Sequence, residues 1–328
     1  MEIFFKIDID TYSPRTKLSE LQNLAPSEVQ TISERYLPIH VPHQAFYLAL
    51  DRNFKRLFVL FSDPYSLLYG PDVGKRVQDQ VRENITNYAI VRPPGAPNNK
   101  RHRSYDQWLL ENPMFCSGSE SRCGVFHWGV WMQRGHESLG PVITADTNKV
   151  GAQLRVHQHD LFTSLHNISY LKRFLLGAID KAERDKMQKA TQALHNGHKD
   201  LWCKSDTECF ALRACLVNVW TEPHVDCSDM EWAMISPFGN FDNGEFCIAD
   251  LERRFTFREG YIAGIRGTRF VHFTRKWSGS RICLVSTMHS AVFRQYAKRH
   301  DSEEVVSARG TGKSEEVEPP RKRAKRRS

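Results

Sequence analysis

The sequence predicts an α+β protein that ends in an all-β sandwich or barrel-like unit. Three observations support this. Helix and strand signals mix over the first hundred residues. A long amphipathic stretch follows from Ser164 to about Leu194. After Trp202 the texture changes to short β-rich runs separated by Gly, Asn and Ser turns.

In the first region "APSEVQTISERY" opens with Pro26 and Ser27 and carries acids early, as a helix start does. "AFYLALDRNFKRLFVLF" reads as two apolar strands around Asp51-Arg52-Asn53, a hairpin. "VGKRVQDQVRENI" spaces Val73, Val77 and Val81 by four, as a helix would. "RPPGAPNNKRHRS" is dense in Pro, Gly, Asn and basic groups and reads as a loop or linker.

The amphipathic stretch repeats Leu165, Ile168, Leu171, Leu175, Ala178, Ile179 and Ala182 at helical steps. Thr163 or Ser164 is placed to cap it and Gly197 to stop it. The strand candidates that follow are "FALRACLVNVW", "EFCIADL", "RRFTF", "YIAGI", "RFVHF" and "RICLVSTM". The expected division is a mixed α/β region at 1–91, a linker at 92–104, a helical buttress at 105–200, a β core at 201–292 and a disordered basic tail at 301–328.

Composition limits the function classes. With 40% hydrophobic and 26% charged residues the chain reads as globular. Its apolar runs are far shorter than the roughly 18 residues a membrane helix needs. The start, "MEIFFKIDID", is not expected to be a signal peptide. The eight cysteines form no C-x-x-C, so reduced thiols are expected rather than disulfides or a zinc finger. The net charge is +8, but "RKRAKRRS" at the end holds six cations and no acid, which leaves +2 for the rest. Such a run suits nuclear import or an electrostatic arm for nucleic acid; without that import the expected location is cytoplasmic, and no membrane partner is implied.

His-x-Asp occurs twice. His198 and Asp200 follow the helix stop and read as a solvated loop. His224 and Asp226 follow a strand and are joined later by His272, inside a β-run, and by Arg281, at the start of the next. Two imidazoles and a carboxylate can occupy one face of an Fe(II) ion and leave the other positions open. An arginine on a neighbouring strand offers a planar fork for a carboxylate. The bland alternatives are a hydrogen-bonded His–Asp pair, a core histidine at 272 and a surface arginine at 281. Arg281 opens an apolar run, however, and would need a buried anion there. Asn218 can contact a cosubstrate or satisfy backbone groups. A further cluster, His157, His159 and Asp160, has no strand partner following it. "FHWGVWM" and Trp202 suit core packing better than stacking on a flat substrate.

From about Cys215 to Ser290 the sequence resembles the 2-oxoglutarate- and Fe(II)-dependent dioxygenases, and more narrowly a fungal group distantly similar to the Tet/J-binding-protein branch. The matching residues are Asn218, Pro223-His224-Val225-Asp226, Gly239-Asn240-Phe241, Gly244-Glu245, Gly260, His272 and Gly279-Ser280-Arg281. Tyr261 and Cys283 depart from the pattern, where many relatives have an acid and a Ser or Thr. The resemblance implies a double-stranded β-helix, or jelly roll, with buttressing helices. It also implies Fe(II) ligands at His224, Asp226 and His272 and the 2-oxoglutarate anchor at Arg281, with Asn218 as a further candidate for cosubstrate contact. The expected activity is hydroxylation of a C–H bond, with a nucleic acid base favoured as substrate. The alternatives are a non-catalytic nuclear protein that uses the β-helix as a scaffold, binding nucleic acid or a partner through the tail, and a cupin-like protein holding another metal.

Overall fold

The computed structural model describes residues 1–95, 123–132, 140–148, 151–197 and 208–296. Most of the 92–104 linker, the His198–Asp200 pair, Trp202 and the basic tail lie outside the described residues.

Nine strands form the large sheet, in the order β1 (Glu2–Phe4), β3 (Phe46–Leu50), β4 (Arg56–Phe61), β12 (Ile262–Ile265), β8 (Ala233–Phe238), β15 (Ile282–Thr287), β7 (Leu212–Val217), β5 (Gly124–Trp131) and β6 (Val142–Ile143). A four-stranded sheet, β13 (His272–Thr274), β10 (Phe246–Ile248), β11 (Arg253–Phe255) and β2 (Leu37–Ile39), faces it. A two-stranded ribbon joins β9 (Phe241–Asn243) and β14 (Trp277–Gly279). The two facing sheets make the jelly-roll core of a double-stranded β-helix within an α+β chain.

Period two along the strands builds the layers. One face of the large sheet sends Tyr47, Phe58, Ala233, Ile235, Ala263 and Ile265 against Ile39, Phe246 and Phe255 of the smaller sheet. Phe58 and Phe255 meet there with ring centroids 4.5 Å apart. The alternate residues Phe126, Trp128, Cys215, Met234, Phe238 and Leu284 point the other way into a second core. That core is roofed by α4 (Pro71–Val91), α6 (Ala152–Ile179) and α7 (Lys181–Gly197). The shorter helices α1 (Arg15–Gln22), α2 (Pro26–Glu34), α3 (Pro64–Tyr69) and α5 (Ala145–Asn148) lie in the connections. Among the described residues no helix is long and apolar enough to cross a membrane.

The β3–β4 hairpin, α2 and α4 form where the sequence places them. In α4 the buried face is Val77, Val81, Ile85 and Tyr88, while Val73 is exposed.

The long amphipathic stretch differs from its expectation. The helix begins at Ala152, twelve residues before Ser164, whose hydroxyl instead donates to the Leu161 carbonyl inside the helix at 2.7 Å. It breaks at Asp180 (φ −155°, ψ 83°), where Oδ1 accepts the Glu183 N–H at 3.0 Å and so caps α7. This break shifts the helical phase beyond it, and Ala182 is exposed; Ala178, before the break, is exposed as well, while Leu165, Ile168, Leu171, Leu175 and Ile179 are buried.

The sheet also runs across the boundaries expected at 91 and 201. β4 pairs with β12, and β5 pairs with β7.

Candidate metal and anion site

The connection from β7 to β8 carries His224 and Asp226. His224 forms an isolated antiparallel bridge with His272 at the start of β13; each backbone N–H donates to the other's carbonyl, at 3.2 and 3.0 Å. Residues directly opposed in such a pair project side chains to the same face. The two imidazole centroids are accordingly 4.2 Å apart. Asp226, two residues on, is held by its own N–H donating to the Gly267 carbonyl at 2.9 Å. Its Oδ1 lies 3.6 Å from His224 Nε2 and its Oδ2 3.4 Å from His272 Nε2. One donor atom from each residue falls within 4.8 Å of the others.

The outer nitrogens of the two rings are tied down. Nδ1 of His224 meets the Glu222 carbonyl at 2.7 Å and Nδ1 of His272 meets the Phe270 carbonyl at 3.0 Å. A carbonyl only accepts, so both Nδ1 atoms carry a proton, which leaves the Nε2 of each ring, on the side of the carboxylate, as the atom that can ligate a metal. Neutral imidazoles fixed in this tautomer by backbone carbonyls suit a divalent cation, and a carboxylate supplies the third donor.

Arg281 immediately precedes β15. Its backbone N–H donates to Asn218 Oδ1 at 2.8 Å and its carbonyl accepts the Asn218 N–H at 2.8 Å. Asn218 adopts φ +50°, a left-handed conformation that Asn tolerates well. In this arrangement Asn218 holds the Arg281 backbone.

The guanidinium is buried between the rings of Trp277 (5.1 Å), Phe241 (5.2 Å) and Phe257 (5.9 Å). Among the described residues its Nε has no hydrogen-bond partner and no carboxylate pairs with it. Burial pushes its pKa below the ordinary value, yet an arginine stays charged. A buried cation without an anion is costly unless a ligand supplies the anion.

The triad, Arg281 and Cys283 line one cavity of about 610 Å³. Its walls between these groups are apolar, from Leu212, Ala214, Leu216, Ile235, Phe246 and Val285. Burial pushes the Cys283 thiol up, so it is a neutral wall group.

A second polar cluster lines the same cavity. Thr287 donates to Asp229 Oδ2 at 2.8 Å, and His289 Nε2 lies 3.6 Å from Asp229 Oδ1. Sequence reasoning misses this cluster; the signal is Asp229, three residues after Asp226. His127 and Trp131 of β5 also face the cavity, while Phe126 and Trp128 are core. His157 and His159 lie on exposed turns of α6 and belong to no metal-like group among the described residues. Glu245, part of the sequence motif, is in an ion-pair network with Arg254 at 2.9 Å and Arg275 at 3.3 Å.

The fold and cavity together define a double-stranded β-helix protein with one helix-covered face. The particular likeness is to NgTET1 in complex with 5mC DNA, with TM-score 0.50 and 13% identity over 88% of this chain and 98% of that one. At that identity the likeness establishes the shared fold. Smaller overlaps are found with the viral collagen prolyl hydroxylase vCPH from Paramecium Bursaria Chlorella virus-1 as its 2OG complex (TM-score 0.22, 16% identity, 31% of this chain and 69% of that one). An oxidoreductase of the 2OG-Fe(II) oxygenase family from Burkholderia pseudomallei gives TM-score 0.28 and 14% identity over 50% of this chain and 67% of that one. The sequence matches no protein-family model and no curated protein.

Proposed function

We propose that this chain is an Fe(II)- and 2-oxoglutarate-dependent dioxygenase that hydroxylates a C–H bond of a nucleic acid base. The observation that carries the reading is one cavity holding both a preoriented His224–Asp226–His272 set and a buried guanidinium, Arg281, with which no carboxylate of the described residues pairs. The donor set fits Fe(II), and the guanidinium fits the distal carboxylate of a dicarboxylate cosubstrate. When bound, the iron with 2-oxoglutarate and O₂ supplies the chemistry that converts C–H to C–OH, with succinate and CO₂ as co-products.

The chain's own residues do the rest. His224 and His272 present Nε2 lone pairs because their Nδ1 protons are committed to carbonyls. Asp226 adds one negative charge. Arg281 orients the cosubstrate by its far end, and its aromatic surround excludes water, strengthening that ion pair. The apolar walls keep solvent from the reacting centre. Asp229, Thr287 and His289 offer acceptors and donors to a polar substrate edge. The DNA complex of NgTET1 supports a base as that substrate, and the basic run at 321–328 supports a nuclear address.

The test is an anaerobic titration of the apoprotein with Fe(II) and 2-oxoglutarate, beside Arg281→Ala, following the visible charge-transfer band of the chelated cosubstrate. The band should form in the wild type and weaken in the variant. Iron binding without a band would favour a cupin-like metal protein, and no binding would remove the enzyme reading. Succinate release stimulated by DNA or RNA oligonucleotides, and not by peptides, tests the substrate class.

A further inference from the structure

The peptide unit between Phe270 and Val271 has both of its polar groups committed. Its carbonyl accepts the His272 Nδ1 proton at 3.0 Å, and its N–H donates to Asp250 Oδ2 at 2.5 Å. The unit is planar, with N–H and C=O pointing in opposite directions, so whatever fixes the N–H also aims the carbonyl. Asp250 is thus the group that aims the carbonyl holding the His272 ring.

Asp250 is itself held from far away in sequence. Tyr12 donates its hydroxyl to Asp250 Oδ1 at 2.5 Å. The Tyr12 ring stacks on Phe270 with centroids 5.8 Å apart, against the residue whose carbonyl is being aimed. Tyr12 in turn sits on an anchored strap. Its N–H donates to the Asp8 carbonyl at 2.9 Å, Asp8 pairs with Arg52 at 2.6 Å, and the Ile9 N–H donates to Asp51 Oδ2 at 3.2 Å. Asp51 and Arg52 form the turn of the β3–β4 hairpin in the large sheet. The strap therefore reaches from the large sheet to the loop before β13 in the smaller one.

We infer that residues 8–14 act as a clamp on the metal centre, with Tyr12 as a positioning residue that orients the His272 imidazole through Asp250. This rests on the reading of His272 as a metal ligand. The clamp gives the N-terminal segment a task in the site, although none of its residues reaches the donor set. Without the phenol, Asp250 Oδ1 loses its donor from the strap, and the carboxylate, left with the backbone N–H groups of Val271 and of Asp250 itself, can turn toward water; the peptide plane then rocks, and the Nδ1–H tautomer of His272 loses its partner.

The test uses the full chain with Tyr12→Phe, which keeps the ring stack and removes one hydroxyl, and Asp250→Asn as a second variant. His272→Ala and Tyr36→Phe, a buried tyrosine on the same side of the fold, are the controls. Co(II) is titrated as the probe, and ring ¹⁵N shifts of His272 are read in the metal-free protein. Tyr12→Phe should lower Co(II) affinity by about tenfold, the lower end for partners of metal ligands. It should also mix the two His272 tautomers while leaving the thermal midpoint close to that of Tyr36→Phe. Wild-type Co(II) affinity and an unchanged tautomer in Tyr12→Phe, with binding lost in His272→Ala, would overturn the clamp alone. Undiminished Co(II) binding in His272→Ala would overturn the ligand reading and the clamp with it.

Discussion

At the scale of single residues, the site depends on atoms the motif does not contain. Gly267 accepts the Asp226 N–H, and a Cβ on it would sit 2.9 Å from Asp226 Oδ2. That oxygen ends a side chain that can turn away, so the fold should tolerate Gly267→Ala while the carboxylate leaves its place. The expected outcome is a thermal midpoint close to wild type with Co(II) affinity reduced by about tenfold or more. Isothermal titration beside a melting curve checks both halves.

Arg281 makes the converse case. Arg281→Lys keeps the charge and loses the fork, so 2-oxoglutarate affinity should fall about 10- to 100-fold, or about 1.4–2.8 kcal/mol, with metal affinity unchanged. Competition of 2-oxoglutarate for the metal-loaded protein would measure it. Equal affinities would mean the anion sits elsewhere.

The His224–Asp226 pair is legible in the sequence because it is local; its likeness to the His198–Asp200 copy is broken by the strand before it and by His272 and Arg281 after it. Gly267 and the carbonyls of Glu222 and Phe270 are not legible, because a backbone group leaves no residue type to read.

At the scale of elements, legibility follows periodicity. α4 and the β3–β4 hairpin carry strong local signals and appear as expected. β8, "AMISPF", escapes the sequence pattern: it contains Pro237, has few β-branched residues and is buried on both faces, so it neither alternates nor advertises a strand. The Asp180 break escapes it too, because its cause is partly tertiary. Asp180 Oδ2 accepts the Trp232 indole N–H at 3.0 Å, 52 residues away in sequence.

α6 also brings a buried cation to the sheet. Lys172 donates to the Met234 and Leu284 carbonyls at 3.0 and 2.9 Å and to Ser286 Oγ at 3.1 Å, joining β8 to β15 from the helix side. Burial lowers its pKa from 10.5 to about 7. Between those values the unfolded chain holds a proton that the folded one has released, so this group makes stability rise with pH above about 7, levelling off above the unfolded value. Below about 7 both states are protonated and the cost of burying the charge is present in full. Urea melts of wild type and Lys172→Met across this range should diverge in slope, the variant being flatter. Parallel curves would show that Lys172 stays charged in the fold.

At the scale of the whole molecule, the basic charge and the candidate site are separated along the chain. The cavity lies in a body whose net charge is close to +2, while six cations sit in residues 321–328. Association with nucleic acid and turnover should therefore respond to different deletions. Removing 321–328 should leave succinate formation without substrate intact. It should also preserve the stabilisation by Mn(II) plus 2-oxoglutarate under nitrogen. At ligand concentrations about 100-fold above Kd that gain is about 2.7 kcal/mol, several degrees in midpoint for a chain of this size.

The same deletion should weaken oligonucleotide binding and flatten its salt dependence. On duplex DNA each neutralised phosphate contributes about 0.9 to the slope of log K against log salt, so a tail that neutralises six of them accounts for about 5. His272→Ala should show the reverse pattern, losing turnover and keeping the slope. If truncation abolished turnover and left binding unchanged, the tail would belong to the catalytic unit and the separation of charge from chemistry would fail.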